Sequence, residues 1–277
     1  MLRDNWTENT WRAHYAYIWS HAANGANGET FWYDKIHKPG YYWKFAVHEV
    51  LMPPEGIALP QEKEGHLLDF GSSITLHHYP DPEKSRSNYL DLLELRVKED
   101  PQEPYGRYLL GREYGVYERY DEAIVEFELT LALPTIDNFF LVKNCVLGYL
   151  GDLYLIKNNF SMAIRYYNEQ IIVDKTYREP YINLAEIYNR LGLYKIAEAY
   201  VLEGLRNSYR HYDWSERAIC WAEKPYDILS VSYYYMDRID EGIENAVRAL
   251  QINPSDTRIQ KNYLALLNKK SDLSKKE

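Results

Sequence analysis

The shortages in this 277-residue sequence exclude more than its abundances suggest. Cysteine is scarce: Cys145 and Cys220 are the only two, and neither stands in a Cys-x-x-Cys pair or a histidine-rich setting. This argues against a disulfide framework or a structural zinc site, and it fits a reducing compartment. A basic excess is also missing. The net charge is −9, so no surplus of lysine and arginine exists to displace counterions from phosphates, and sequence-independent nucleic-acid binding is disfavoured. The basic run Lys269, Lys270, Lys275, Lys276 reads as a short solvated end. No apolar run approaches the roughly 20 residues that a membrane span needs. The polar first residues have no signal-peptide pattern. Gly-x-Ser-x-Gly, His-Glu-x-x-His and P-loop spacings are absent. The expectation is a soluble cytoplasmic protein.

What is plentiful is tyrosine, with 28 residues against 7 phenylalanines. A tyrosine ring packs as phenylalanine does, but its hydroxyl needs a partner or water. So many tyrosines predict long half-buried seams rather than chemistry. Many of them recur in a pattern. Leu110-Gly111, then Tyr114, leads to Ala123 and Phe127; Leu150-Gly151, then Tyr154, leads to Ala163 and Tyr167. Leu184-Ala185, then Tyr188, leads to Ala197 and Val201; Leu229-Ser230, then Tyr233, leads to Gly242, Ala246 and Ala249. The small residues Ala123, Ala163, Ala197 and Gly242 lie 40, 34 and 45 residues apart. The middle spacing equals the tetratricopeptide period, and the others imply insertions between hairpins. Small residues let two helices approach, and larger ones fill the space between hairpins. Tyr114, Tyr154, Tyr188 and Tyr233 are therefore read as repeat-core residues.

The punctuation agrees. Pro180 and Pro225 each open a hairpin, and Asn253-Pro254-Ser255-Asp256 precedes a last helix, Thr257 to Asn268. That helix, with Tyr263 and Leu264 inward, reads as a solubilising cap. Residues 206–222 break the period and predict an extra helix, with Trp214 and Trp221 packed between repeats. By itself such a stack is a binding scaffold.

The first hundred residues carry no repeat. Tyr15–Trp19, Thr30–Ile36, Tyr41–Leu51 and Ser73–Tyr79 read as β segments. Residues 21–29 and 52–66 read as loops, and Ser85–Val97 as an amphipathic helix leading to the repeats. The predicted fold is mainly α: a tetratricopeptide-type helical-hairpin solenoid over 104–277 with a C-terminal capping helix, a linker helix over 85–103, and a small β-rich segment over 1–84.

Two stretches resemble bacterial family 2 glycosyltransferases. Trp43, Val47, His48, Glu49 and Leu51 match a W-x-x-x-V-H-E-x-L segment late in their catalytic domain, which has the GT-A fold. His77-His78-Tyr79-Pro80-Asp81-Pro82 resembles the strand and linker that follow it. A repeat array with a Leu-Gly-Arg-Glu-Tyr run (110–114 here) and a final Asn-Pro-x-Asp (253–256 here) comes next in that subgroup. The resemblance implies inverting sugar transfer from a nucleotide sugar, with Glu49 as general base, His48 orienting substrate, and His78 (or His77) joining a divalent metal, Mn²⁺ or Mg²⁺. No Asp-x-Asp motif occurs in the chain, nor the nucleotide-binding half that carries it in the family. The sequence therefore reads as the C-terminal part of such an enzyme, inactive alone, with no nucleotide-binding residues of its own. Its partners would be the missing half, or an acceptor protein or glycan. The alternative is a non-enzymatic scaffold that takes a peptide or protein in the repeat groove.

Overall fold

The computed structural model describes residues 2–18, 30–48, 50–52, 67–70, 73–79, 88–211 and 216–275. The chain forms two compact units, Met1–Glu99 and Asp100–Glu277.

The first unit is built around one strand. After a short helix α1 (Leu2–Asn5) come β1 (Arg12–Ile18), β2 (Thr30–His37), β3 (Tyr42–Lys44), β4 (Val50–Met52), β5 (Leu67–Asp69), β6 (Thr75–His77) and α2 (Tyr89–Glu99). β1 pairs antiparallel with β2, and parallel with β5 along its first residues and with β6 along its last. Neighbours Tyr15 and Ala16 are both buried, as on a central strand covered on both faces. The run Tyr41–Leu51 is expected as one β segment; instead it folds into the antiparallel pair β3–β4. Phe45 and His48 between them take left-handed backbone, with φ of 77° and 50°, which interrupts a strand. Arg96 of α2, only 1% exposed, donates to the carbonyls of Val47 and His48 at 2.9 and 3.0 Å. Its guanidinium lies 3.9 Å from the centre of the Phe45 ring. The three-residue β5 has no alternation to announce it.

The second unit is the repeat array. α3 (Pro104–Val116) pairs with α4 (Tyr120–Leu131), α5 (Phe140–Ile156) with α6 (Phe160–Val173), and α7 (Glu179–Arg190) with α8 (Tyr194–Arg206). The short α9 (Ala218–Trp221) precedes α10 (Lys224–Tyr235), which pairs with α11 (Ile239–Ile252), and α12 (Thr257–Ser274) packs on α11. The small residues act as expected. A Cβ placed on Gly111 would fall 2.7 Å from the Phe127 ring, and one on Gly151 would enter the Tyr167 ring. Ala123, Ala163 and Ala197 are fully buried.

The hairpin turns share one geometry. Glu118, Asn158, Gly192 and Asp237 all have φ between 55° and 75°. The next residue donates its backbone N–H to the carbonyl of the repeat tyrosine: Arg119 to Tyr114, Asn159 to Tyr154, Leu193 to Tyr188, Arg238 to Tyr233. These are Schellman-type helix ends, which satisfy carbonyls that the helix leaves open. The tyrosine side chains fill the seams. Tyr154 and Tyr166 both donate to Glu128 at 3.0 Å, Tyr233 donates to Glu198 at 2.9 Å, and Tyr188 stacks on Tyr200 at 5.3 Å.

The cap differs in detail from its expectation. It continues to Ser274, and it buries Ile259 and Leu266 rather than Leu264, which is 56% exposed. The reason is the partner face: α11 presents Gly242, and a Cβ there would meet Leu266 at 2.6 Å. Tyr263 packs part-buried against the Ile239, Ala246 and Leu266 cluster. Asp256 caps the helix by accepting from the amides of Arg258 and Ile259. Among the described residues, no helix is long and apolar enough to cross a membrane.

Candidate binding groove

The first helices of three hairpins, α5, α7 and α10, carry buried and part-buried polar residues that pair with groups from further along the chain. On α5, Cys145, Tyr149 and Asp152 share a face at i, i+4 and i+7; on α7, Glu179, Asn183 and Glu186 do the same. Glu179 sits at the start of α7, immediately before Pro180, where a helix N-terminus favours negative charge. Glu179 is 2% exposed. Its Oε1 accepts from the Trp221 indole at 2.7 Å and from the Arg217 amide at 3.1 Å.

Asp152, Glu186 and Asp227 of α10 each meet a cation from further along the chain. Arg217 donates to Asp152 at 2.9 Å and lies 4.5 Å from the centre of the Tyr149 ring. Tyr167 donates to the other oxygen of Asp152 at 2.7 Å. Lys224 reaches Glu186 at 2.7 Å and donates to Asn183 at 2.9 Å. Arg190 pairs with Glu186 as well. Arg258 and Asn262 of the cap donate to Asp227.

The electrostatics follow from this pairing. Burial alone would raise the Glu186 carboxyl, but Lys224 and Arg190 hold it below the ordinary range. Burial pushes the Tyr167 hydroxyl well up, and the Asp152 charge adds to that. Burial also pushes the Cys220 thiol up to about 12, as befits an inert core cysteine.

The period-breaking residues are part of this network. Cys220 of α9 is fully buried in a cluster with Ile182, Ala185, Val201 and Leu229. Trp221 is flanked by Arg178 at 3.7 Å and Arg210 at 5.2 Å. Trp214 lies outside the described residues. Between α5, α6, α7 and Arg217 a cavity of about 10 Å³ remains, the size of one water molecule. It is lined by Cys145, Gly148, Tyr149, Asp152, Gln170, Glu179, Asn183 and Arg217.

The residues singled out by the glycosyltransferase resemblance lie in the first unit. Glu49 is outside the described residues. His48 is exposed in the loop between β3 and β4, with its ring edge-on to Tyr89 and hydrogen-bonded to the Tyr89 hydroxyl. His78 follows β6; its amide donates to the Ile18 carbonyl at 2.8 Å and its ring stacks on Tyr17 at 6.0 Å. His77 stacks on Tyr79. Among the described residues, no group of three or more His, Cys, Asp or Glu converges as a metal site requires.

Sequence reasoning passed over Asp152, Gln170, Glu179 and Arg217. The available signal was the polar residue recurring at i+4 and i+7 on a helix whose other face is apolar.

No family model matches the sequence, and no curated protein does either. The likeness lies in solved structures. MamA superposes with a TM-score of 0.50 at 16% identity, over 65% of this chain and 99% of MamA. YrrB, a TPR protein with an unusual peptide-binding site, gives 0.47 at 16% identity, over 66% of this chain and 81% of YrrB. The first TPR of Spaghetti (RPAP3), bound to an HSP90 peptide, gives 0.40 at 19% identity, over 47% of this chain and 96% of that one. With its stacked helical hairpins and repeated small-against-large contacts, the chain has the tetratricopeptide-repeat fold.

Proposed function

We propose that the chain is a protein-binding scaffold whose repeat array takes a peptide segment of a partner along the first helices of its hairpins. The observation that supports this most is the polar network across α5, α7 and α10. Its buried Glu179 and Asp227 and part-buried Asp152 and Glu186 are polar, whereas the clusters between hairpins are apolar. Stacked repeats generate extended concave surfaces of this kind, and a row of fixed donors and acceptors orients an extended chain. The test is a peptide-display selection on the full chain, followed by affinity measurement. Selected peptides are expected to bind at about micromolar Kd. Binding should weaken at least tenfold with Asp152→Asn and stay unchanged with Glu169→Ala, a change on α6 whose side chain is 38% exposed and pairs with Arg165. Selected peptides indifferent to Asp152→Asn would overturn the groove reading.

A second reading attaches to the first unit: that it is the end of a family 2 glycosyltransferase catalytic domain, with Glu49 as base beside His48. Its support is the W-x-x-x-V-H-E-x-L match, together with the way Arg96 pins the carbonyls of Val47 and His48. In that reading, Glu49→Gln lowers kcat by on the order of 10²–10⁴-fold when the chain is assayed with a nucleotide-binding half. Near-normal turnover removes Glu49 as the base.

A further inference from the structure

The water-sized cavity beside Arg217 is lined by acceptors with too few donors. Glu179 Oε2 and Gln170 Oε1 have no hydrogen-bond partner, although their residues are 2% and 3% exposed. Gln170 lines the cavity and spends its amide nitrogen on the Asn144 carbonyl at 3.3 Å, so its oxygen is the atom without a partner. Buried acceptors without donors are costly and uncommon. Asp152 adds a carboxylate on the same wall, and Tyr149 adds an aromatic face. Carboxylates, an amide oxygen and a ring together are the surroundings that suit a guanidinium, a flat cation with five N–H donors and a face that stacks.

One arginine already sits at the edge of this pocket. Arg217 pairs with Asp152 and lies over Tyr149, but it reaches Glu179 only through its backbone amide, and through Oε1. Glu179 Oε2 and Gln170 Oε1 stay unmet. Arg217 also comes from the insertion, not from a repeat helix, so no hairpin position requires an arginine there.

We propose that this pocket is a subsite for an arginine side chain of a partner peptide, and that Arg217 is a resident stand-in which the incoming guanidinium displaces. The incoming group replaces Arg217 on Asp152 and Tyr149 and extends to Glu179 Oε2 and Gln170 Oε1. On displacement the Arg217 side chain, one-third exposed in its pair with Asp152, swings to water, while Cys220 keeps the insertion anchored in the core. This inference deepens the groove reading above and rests on it.

The test measures the full chain against four fluorescein-labelled hexapeptide pools, randomised except for a central Arg, Lys, citrulline or Glu. Wild type, Arg217→Ala, Arg217→Gln and Arg217→Ala/Asp152→Asn are compared by fluorescence polarisation, with helicity checked by circular dichroism. The central-Arg pool should bind best to wild type. Emptying the pocket with Arg217→Ala should tighten it about tenfold, and the double variant should reverse that gain. Arg217→Gln keeps the aliphatic stem and should show the same direction if Arg217→Ala loses helicity. A purely structural Arg217 predicts lower stability with no gain in affinity, and that result overturns the proposal. Pools that bind wild type equally whatever their central residue also overturn it, while leaving the groove reading standing. No binding of any pool to any variant overturns both.

Discussion

The two units of this chain hold themselves together in different ways. In Asp100–Glu277 the same contact is made twice within hairpins, Gly111 against Phe127 and Gly151 against Tyr167, and a like one, Gly242 against Leu266, joins the last hairpin to the cap. The same helix end recurs at four turns. In Met1–Glu99, among the described residues, the apolar burial falls mainly on one strand, through Ala13, Tyr15, Ala16 and Ile18, and on Leu51, Leu93 and Val97. One arginine, Arg96, holds the β3–β4 loop. Repetition spreads stability over nearest-neighbour interfaces; the first unit concentrates it in a few side chains.

The largest expected effect tests the repeats. Tyr167 is fully buried in a cluster with Ala163, Leu184 and Ile187 and donates to Asp152. Tyr167→Ala should destabilise the array by about 3–5 kcal/mol, as removal of a large core aromatic does. Because the coupling is between neighbours, hydrogen exchange should rise in α5 to α8 before it rises in α11 and α12. A uniform rise would show that the array melts as one body and would blunt the comparison.

Arg96→Met tests the other side. It keeps the aliphatic stem but removes the donors to Val47 and His48 and the cation over Phe45. A loss of about 1.5–3 kcal/mol is expected, the range for a hydrogen bond to a charged group. It should appear as lost exchange protection in α2 and in the amides of residues 45–48. Unchanged protection there would mean that the loop holds its left-handed residues without Arg96.

Gly111→Ala follows. The new methyl would overlap the Phe127 ring, which is 1% exposed. The expected cost is about 1–3 kcal/mol from overpacking, read as a lower urea midpoint at unchanged slope.

Acid gives a gentler probe. The Glu186 carboxyl is held below its ordinary value of 4.5 by Lys224 and Arg190, against its burial. A depressed folded pKa contributes stability that is fully present above the unfolded value and is lost as pH falls through the folded one. The array should therefore lose stability below about pH 4.5. Glu186→Gln, which cannot titrate, should flatten that acid limb. An unchanged limb would place the sensitive carboxylate elsewhere.

The hairpins were legible because their signals are periodic: the Leu-Gly pairs, the tyrosines and the buried alanines repeat, and Pro180 and Pro225 mark helix starts. The turns were not. Only Gly192 advertises a left-handed residue; Glu118, Asn158 and Asp237 adopt the same φ because the Schellman bonds and packed helices fix it. Of the two cap residues expected inward, Tyr263 packs against the core but Leu264 does not, because the face that α11 offers selects Ile259 and Leu266. The polar network was hidden for another reason. Asp152 and Glu179 are polar residues on helices, and sequence alone gives them a solvated face; only the insertion's return with Arg217 and Trp221 makes them a network. Continuous β propensity from Tyr41 to Leu51 likewise masked a loop held from α2, far along the chain.

The smallest effect is the most exacting test of the interlock. Gly115 lies in α3 one turn after Gly111, and a Cβ there would meet nothing within 4 Å. Glycine inside a helix is unfavourable relative to alanine because the unfolded chain has more freedom to lose. Gly115→Ala should therefore stabilise the array by about 0.5–1 kcal/mol, the opposite sign to Gly111→Ala in the same helix. Helix propensity is common to both substitutions, so the difference between them isolates the clash with Phe127. Urea melts of the two single variants and the double variant measure it directly. The two changes should add, since Gly115 faces open space and shares no partner with Gly111. If both substitutions stabilise, the Phe127 ring moves aside at little cost, and small-against-large contact is not what sets the hairpin spacing.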